Sequence, residues 1–244
     1  MEGVTKTFRF KLHGRLNDFI KPHNRSCSYY KIYFQDRPSL KDSLEAQGIP
    51  HPEIGAVSID GSTVGLQHTT PDGREVEIWP CNLALAIKGN RPAFILDVHL
   101  GTLARRMRLL GLDASYSNSF SDEQIIQTAT KEHRVILTRD LGILKNSRVQ
   151  VGYWLRADDP DAQVHEVVRE FGIADNMEPL SRCLACNGRL KPAAKDAVLG
   201  KLPQRVARTF NEFHQCEACG KVYWKGSHYK KLIDYVGSIR QQYL

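Results

Sequence analysis

Two sets of residues in this chain have the types and spacing for chemistry. The first is acidic. Asp97 directly follows the apolar run FIL, and Asp140 comes two residues after VILT. Asp122 opens the segment DEQIIQTA, and Asp158 and Asp159 come soon after VGYWLR. Carboxylates gathered at one edge of a sheet repel one another, and each raises the next one's pKa. A divalent cation removes that penalty, and an all-oxygen donor set suits Mg²⁺ or Mn²⁺. Such an ion can bind a phosphodiester, activate water and stabilise a leaving oxygen. Each acid also has a structural reading. Asp122 lies in the first turn of a helix, where negative charge is favoured. Asp159 is placed to cap the helix that starts at Pro160, and Asp158 stays open between the two roles. Asp97 and Asp140 are the pair for which a metal role outweighs a structural one. Asp97 lies within an apolar segment, where burying an unpaired charge would be costly.

The second set is sulfur. Cys183 with Cys186 and Cys216 with Cys219 form two C-x-x-C pairs, while Cys27 and Cys81 stand alone. Two such pairs in a reduced chain make a tetrahedral Cys₄ zinc site, and four thiolates leave no open position, so that zinc is structural. A redox dithiol would need only one pair. Gly188 and Gly220 allow tight turns around the metal. His214 and His228 could ligate metal, but the cysteines already complete the site.

Charge is concentrated in the same region. Residues 181–244 hold twelve basic and four acidic residues, a net +8, while the whole chain nets +7. Lys221 and Lys225 are interleaved with Tyr223, Trp224 and Tyr229, a pattern that suits unpaired RNA bases stacked on rings. A solubilising surface and core packing of the aromatics are the alternatives. Arg105 and Arg108, three apart on one helix, and Arg139 beside Asp140 could hold substrate phosphates or form a solvated surface.

The elements that must position these groups fall into three pieces. Residues 1–84 read as strands at 6–12, 29–35, 56–64 and 71–80, with one helix over 39–48 stopped at Gly48 and a hairpin turn at Asp60-Gly61. KGNRP (88–92) is the expected linker. Residues 91–176 alternate strand (93–97), helix (100–111, capped at Gly111), helix (121–133, with a Ser121/Gln124 capping box), strand (134–138), strand (149–156) and helix (160–172). That rhythm predicts a parallel α/β sheet flanked by helices, whose ligands bind beyond the carboxyl ends of the strands. Residues 177–244 form the cysteine-containing, basic piece. The longest apolar runs, such as LALAI, are too short to cross a bilayer. The N-terminal MEGVTKTFRFKLHGRL has no apolar core, so no secretory signal and a cytoplasmic location are expected.

FILDVHLGTLARRMRLLGLDASY, followed by SDEQIIQTA and RVILTRDLGIL, resembles the PIN-like (PilT N-terminus type) ribonuclease domain at the carboxyl end of Mut-seven-type exonucleases. The resemblance covers about 93–175. It implies a metal-dependent nuclease with Asp97, Asp122 and Asp140 as the core ligands of Mg or Mn, and Asp158 as the candidate fourth. CGKVYWKGSHY is similar to the zinc ribbon that follows this domain in the same family. The order of elements in 5–80 resembles a ubiquitin-like β-grasp domain of the sulfur-carrier type. It lacks a terminal Gly-Gly, which points to docking or substrate positioning rather than sulfur transfer. The resulting expectation is a ribonuclease acting on RNA, tRNA or another structured RNA included, with a protein partner at its N-terminal domain. The alternative is an RNA-binding adaptor whose PIN-like domain is silent.

Overall fold

The computed structural model describes residues 6–20, 29–34, 36–87, 91–227 and 229–243. Cys27, His228 and the first three residues of the expected linker lie outside them. In KTFRFKL, apolar residues alternate with charged ones, and this becomes β1 (Lys6–Leu12), with Phe8, Phe10 and Leu12 buried. β2 (Tyr30–Phe34) pairs antiparallel to it. Ser39 then caps α1 (Leu40–Ala46), its side chain accepting from the Asp42 amide at 3.1 Å, and Leu40 and Leu44 point into the core. β3 (Ile54–Ile59) and β4 (Ser62–Val64) are joined at Asp60 and Gly61, both at positive φ (47° and 84°), as a two-residue hairpin turn requires. β5 (Glu75–Pro80) returns through the middle, and α2 (Leu83–Ala86) follows. The strand order is β2-β1-β5-β3-β4, with β1 and β5 parallel and the other neighbours antiparallel. With α1 between β2 and β3, this is the β-grasp arrangement the sequence predicts.

The pattern then changes. β6 (Ala93–Leu96) buries Phe94, Ile95 and Leu96. A 3₁₀ turn (Val98–Leu100) leads into α3 (Gly101–Leu109), whose Leu103 and Met107 are buried along with the flanking Leu100 and Leu110. β7 (Asp113–Ser115) comes next, a strand the sequence did not suggest. α4 (Asp122–Glu132) starts with the expected reciprocal capping box between Ser121 and Gln124. β8 (Val135–Thr138) is buried at all four positions. β6 pairs in parallel with β7 on one side and with β8 on the other.

α5 (Leu141–Leu144) and β9 (Gly152–Trp154) follow. α6 (Pro160–Phe171) is started by Asp159, which accepts from the Asp161 and Ala162 amides at 2.9 Å, so Asp159 is a cap, as its structural reading holds. The last stretch contains β10 (Leu190–Ala193), α7 (Lys195–Val198), α8 (Gln204–Thr209), β11 (Phe213–Cys216) and β12 (Val222–Trp224). β10, β11 and β12 form an antiparallel sheet in that order. α9 (Tyr229–Tyr243) ends the described chain, a helix that is not among the elements the sequence predicts. It buries Val236 and Ile239, and Arg240 Nη2 donates to Met177 O at 2.6 Å.

The chain divides into two units, Met1–Ala86 with Thr138–Trp154, and Ile87–Leu137 with Leu155–Leu244. No local pattern in the sequence marks 138–154 as belonging with the N-terminal sheet. Glu53, 0% exposed, provides the reason. Its carboxylate accepts from Arg15 Nε at 3.0 Å and from the Trp154 amide at 2.8 Å. His51 Nε2 lies 2.8 Å from Val149 O, and the Phe19 and Trp154 rings meet at 5.1 Å. A buried carboxylate between a guanidinium and an amide holds the segment in place, because removing any one partner strands the others.

Gly111, after α3, is needed twice over. Its φ is +83°, and a Cβ there would lie 1.9 Å from Glu178 O. Gly111→Ala is expected to cost about 2–3 kcal/mol, combining left-handed strain with overpacking. Chemical denaturation of the two proteins checks it. A variant as stable as wild type would show that the 178–181 backbone gives way freely.

Candidate functional site

Asp97 lies at the carboxyl end of β6 and is 4% exposed. Its amide donates to Leu137 O at 3.1 Å, and its own carbonyl accepts from the Leu100 amide at 2.9 Å. The ends of β6 and β8 are therefore side by side at this residue, and the chain reaches Asp140 three residues after Leu137. Asp140 is exposed and has a local task. Its amide donates to Thr138 Oγ1 at 2.8 Å, and its carboxylate accepts from the Gly142 amide at 2.6 Å, capping α5. Asp122 is the exposed first residue of α4, and Asp158 is exposed just before α6. Asp97 and Asp122 belong to the second unit, as does Asp158, while Asp140 belongs to the segment grouped with the first. Among the described residues, the one group of three or more His, Cys, Asp or Glu side chains whose ligand atoms all lie within 4.8 Å of one another is cysteine.

That group is Cys183, Cys186, Cys216 and Cys219. Sγ of Cys183 is 3.7 Å from that of Cys219, and Sγ of Cys186 is 3.4 Å from that of Cys216. A tetrahedron with about 2.3 Å arms has edges of about 3.8 Å, so the donors have the spacing and softness for zinc. Each pair sits on a tight turn. The Cys183 amide donates to Gly188 O at 2.8 Å, and the Cys216 amide to Lys221 O at 2.9 Å. Gly188 must be small, because a Cβ would meet Cys216 Sγ at 2.8 Å. The crowding shows in the acidities. Burial and the three neighbouring thiols push Cys186 up to about 12, despite a hydrogen bond from the Gly188 amide that pulls the other way. Burial also pushes Cys183 up, but hydrogen bonds from Tyr223 and from the amides of Cys186 and Ala185 outweigh it and bring this thiol down to about 6. A bound soft dication removes the remaining penalty by holding all four as thiolates.

Comparison with protein families matches residues 92–236 to the Mut7-C RNAse domain and residues 5–86 to the Mut7-C ubiquitin domain. The chain belongs to the Mut7-C RNAse domain family. A search of curated proteins gave no match, and neither did a search of solved structures. The family match covers the parallel sheet, the cysteine quartet and most of α9, and supports a nuclease-like function. No described helix is long and apolar enough to cross a membrane.

Within the RNAse domain the arginines separate. Arg105 is exposed on α3, but Arg108 is 2% exposed. Arg108 Nε donates to Ala114 O at 2.9 Å, and its Nη1 donates to Ala185 O at 2.9 Å and Leu184 O at 3.2 Å. The expectation that Arg108 holds a substrate phosphate is corrected: three carbonyls occupy its guanidinium, which ties α3 to the first cysteine turn. Arg139 is exposed, and its carbonyl accepts from Trp154 Nε1 at 3.2 Å. Lys225 is ion-paired with Glu212 at 2.5 Å and lines a cavity of about 490 Å³ with His214, Trp224 and Tyr229. Lys221 is exposed.

Sequence reasoning missed the group that fixes the ribbon to the RNAse core. Asp113, on β7, accepts from Arg134 Nη1 at 2.6 Å, Asn187 Nδ2 at 2.7 Å and Arg182 Nη2 at 2.8 Å. The only clue is an acid two residues past the Gly111 stop. Burial alone would raise the Asp113 carboxyl, but the hydrogen bonds and charges of Arg134, Asn187 and Arg182 lower it below its usual value. The contribution to stability is therefore full above the unfolded-state pKa of about 3.9 and is lost as pH falls through the lower folded-state value. The stability gap between wild type and Asp113→Asn should stay constant from about pH 5 upward and close below about pH 4. Urea titrations at a series of pH values would read it. A gap that widened in acid would reverse the sign.

Proposed function

We propose that this chain is a metal-dependent ribonuclease that hydrolyses RNA phosphodiester bonds. The observation that carries the reading is Asp97, a buried carboxylate at the carboxyl end of a parallel strand in a Mut7-C RNAse domain, with Asp140 close along the chain from the neighbouring strand end. Asp97, Asp122 and Asp140, with Asp158 as a fourth, would hold Mg²⁺ or Mn²⁺, for which all-oxygen donors are suited. When bound, the dication supplies charge neutralisation at the phosphate and a more acidic water. Asp97, fixed by the strand end, orients the site. In the overall reaction a water oxygen bonds to phosphorus and the P–O3′ bond breaks. The products carry 5′-phosphate and 3′-hydroxyl ends. The four cysteines would hold structural zinc and keep the basic ribbon folded against RNA. The N-terminal β-grasp unit serves docking to a protein partner, and the setting is the cytoplasm.

A second reading, a silent RNA-binding adaptor, draws on the exposure of Asp122 and the capping task of Asp140. Incubation of the purified protein with single-stranded and structured RNAs, with and without Mg²⁺ or Mn²⁺, separates the two. Ion-dependent cleavage supports the enzyme. Tight binding with no cleavage in any combination supports the adaptor.

A further inference from the structure

A cavity of about 650 Å³ lies wholly within the second unit, and Val98, the residue after Asp97, is part of its wall. His99, Thr102 and Arg105 of the RNAse core line it together with Lys221 and Tyr223 of the ribbon. Its walls are fixed. Tyr116 Oη donates to Val98 O at 2.9 Å, and Tyr223 Oη accepts from the Leu184 amide at 3.1 Å. Arg108 pins the carbonyls of Leu184 and Ala185 to α3. No carboxylate is among the described residues that line it. Three other cations of this unit are held in ion pairs: Arg106 with Asp161, Lys191 with Glu217, and Lys225 with Glu212. Among the described residues, Arg105 and Lys221 form no ion pair, and both are exposed. Cations facing one concavity without a counter-charge focus a positive potential there.

We propose that this cavity holds phosphates of the RNA strand beside Asp97, gripped by Arg105 from the RNAse core and Lys221 from the ribbon. The proposal rests on the ribonuclease reading and adds the location of the strand: the cysteine-bearing ribbon is a wall of the site, not a remote handle. The volume falls within the range of sites for small ligands, about 300–1,000 Å³, so a nucleotide fits and a double helix does not. The strand enters unpaired. Arg108 is a positioning residue here, acting only through the wall it holds.

The test is fluorescence anisotropy of a short labelled oligouridylate with the zinc-loaded full chain, over a salt series and without added Mg²⁺ or Mn²⁺. Each phosphate contact removed from a single strand should flatten the slope of log K against log salt by about 0.7. Arg105→Ala and Lys221→Ala should each show that change, and the double variant about twice it. Lys131→Ala, an exposed α4 cation outside the cavity, should leave the slope unchanged. A double variant with wild-type slope and affinity overturns the proposal, as does a Lys131→Ala loss as large as the others. Cleavage is not read, so a silent RNAse domain would leave the binding prediction standing. A nuclease that holds its substrate elsewhere would fail it.

Discussion

Asp97→Asn should reduce ion-dependent RNA cleavage by roughly 1,000-fold or more, which is at least about 4 kcal/mol of transition-state stabilisation. The substitution keeps the side chain's volume and removes one negative charge. Asp97 is 4% exposed and its backbone is tied to Leu137 and Leu100 at the ends of β6 and β8, so its side chain starts from a fixed point. Preorganised charge of this kind acts without reorganisation during the reaction. Loss of activity through unfolding is separable, because the isosteric amide leaves the strand pairing and backbone hydrogen bonds in place. The thermal midpoint should move by no more than a few degrees. Asp140→Asn is a companion variant, since an asparagine oxygen can still accept from the Gly142 amide and preserve the cap on α5. Cleavage by Asp97→Asn at the wild-type rate would place the chemistry elsewhere.

Removing metal from the cysteine quartet should have a still larger structural effect. Structural zinc in small domains contributes about 10–16 kcal/mol of apparent binding free energy near neutral pH, and that energy is folding energy. Here the quartet joins the turn at Cys183 to the turn at Cys216, and the three-stranded sheet contributes few fully buried side chains, Phe213 among them. Loss of the metal would also release the partners of Arg108 at Leu184 and Ala185, and those of Asp113 at Arg182 and Asn187. Elemental analysis of wild type should return about one zinc per chain. Cys216→Ser, or wild type treated with a strong chelator, should lose it and become protease-sensitive across 181–225. A metal-free protein with an intact ribbon would contradict the assignment.

Sequence showed most clearly the elements whose signals are local. Asp60-Gly61 specifies its turn through positive φ, Ser121 and Gln124 cap each other, and Gly111 ends α3, all within a few residues. The cysteine quartet was legible because ligand spacing constrains two turns independently. β7 was not, since three residues carry too little alternation to signal a strand, and Asp113 owes its place to partners about 70 residues away. Arg108 shows a different limit. Its spacing from Arg105 suggested a shared outer face, but Ala104, one turn earlier, is buried, so the helix side bearing Arg108 turns inward where a small residue leaves room. The grouping of 138–154 with the N-terminal sheet depends on Glu53, whose partner Trp154 is 101 residues away. No local pattern encodes such a tie.

If Asp97 and Asp140 each serve as a ligand of a hard dication, as proposed, both are needed for Mn²⁺ binding. Electron paramagnetic resonance of Mn²⁺ with zinc-loaded protein, without RNA, reads this. Wild type is expected to bind Mn²⁺ with loss of the free-ion signal, and Asp97→Asn and Asp140→Asn are expected each to weaken binding at least tenfold, with Mg²⁺ competing. Equal Mn²⁺ binding by wild type and both variants, or none by any of them, would contradict the account.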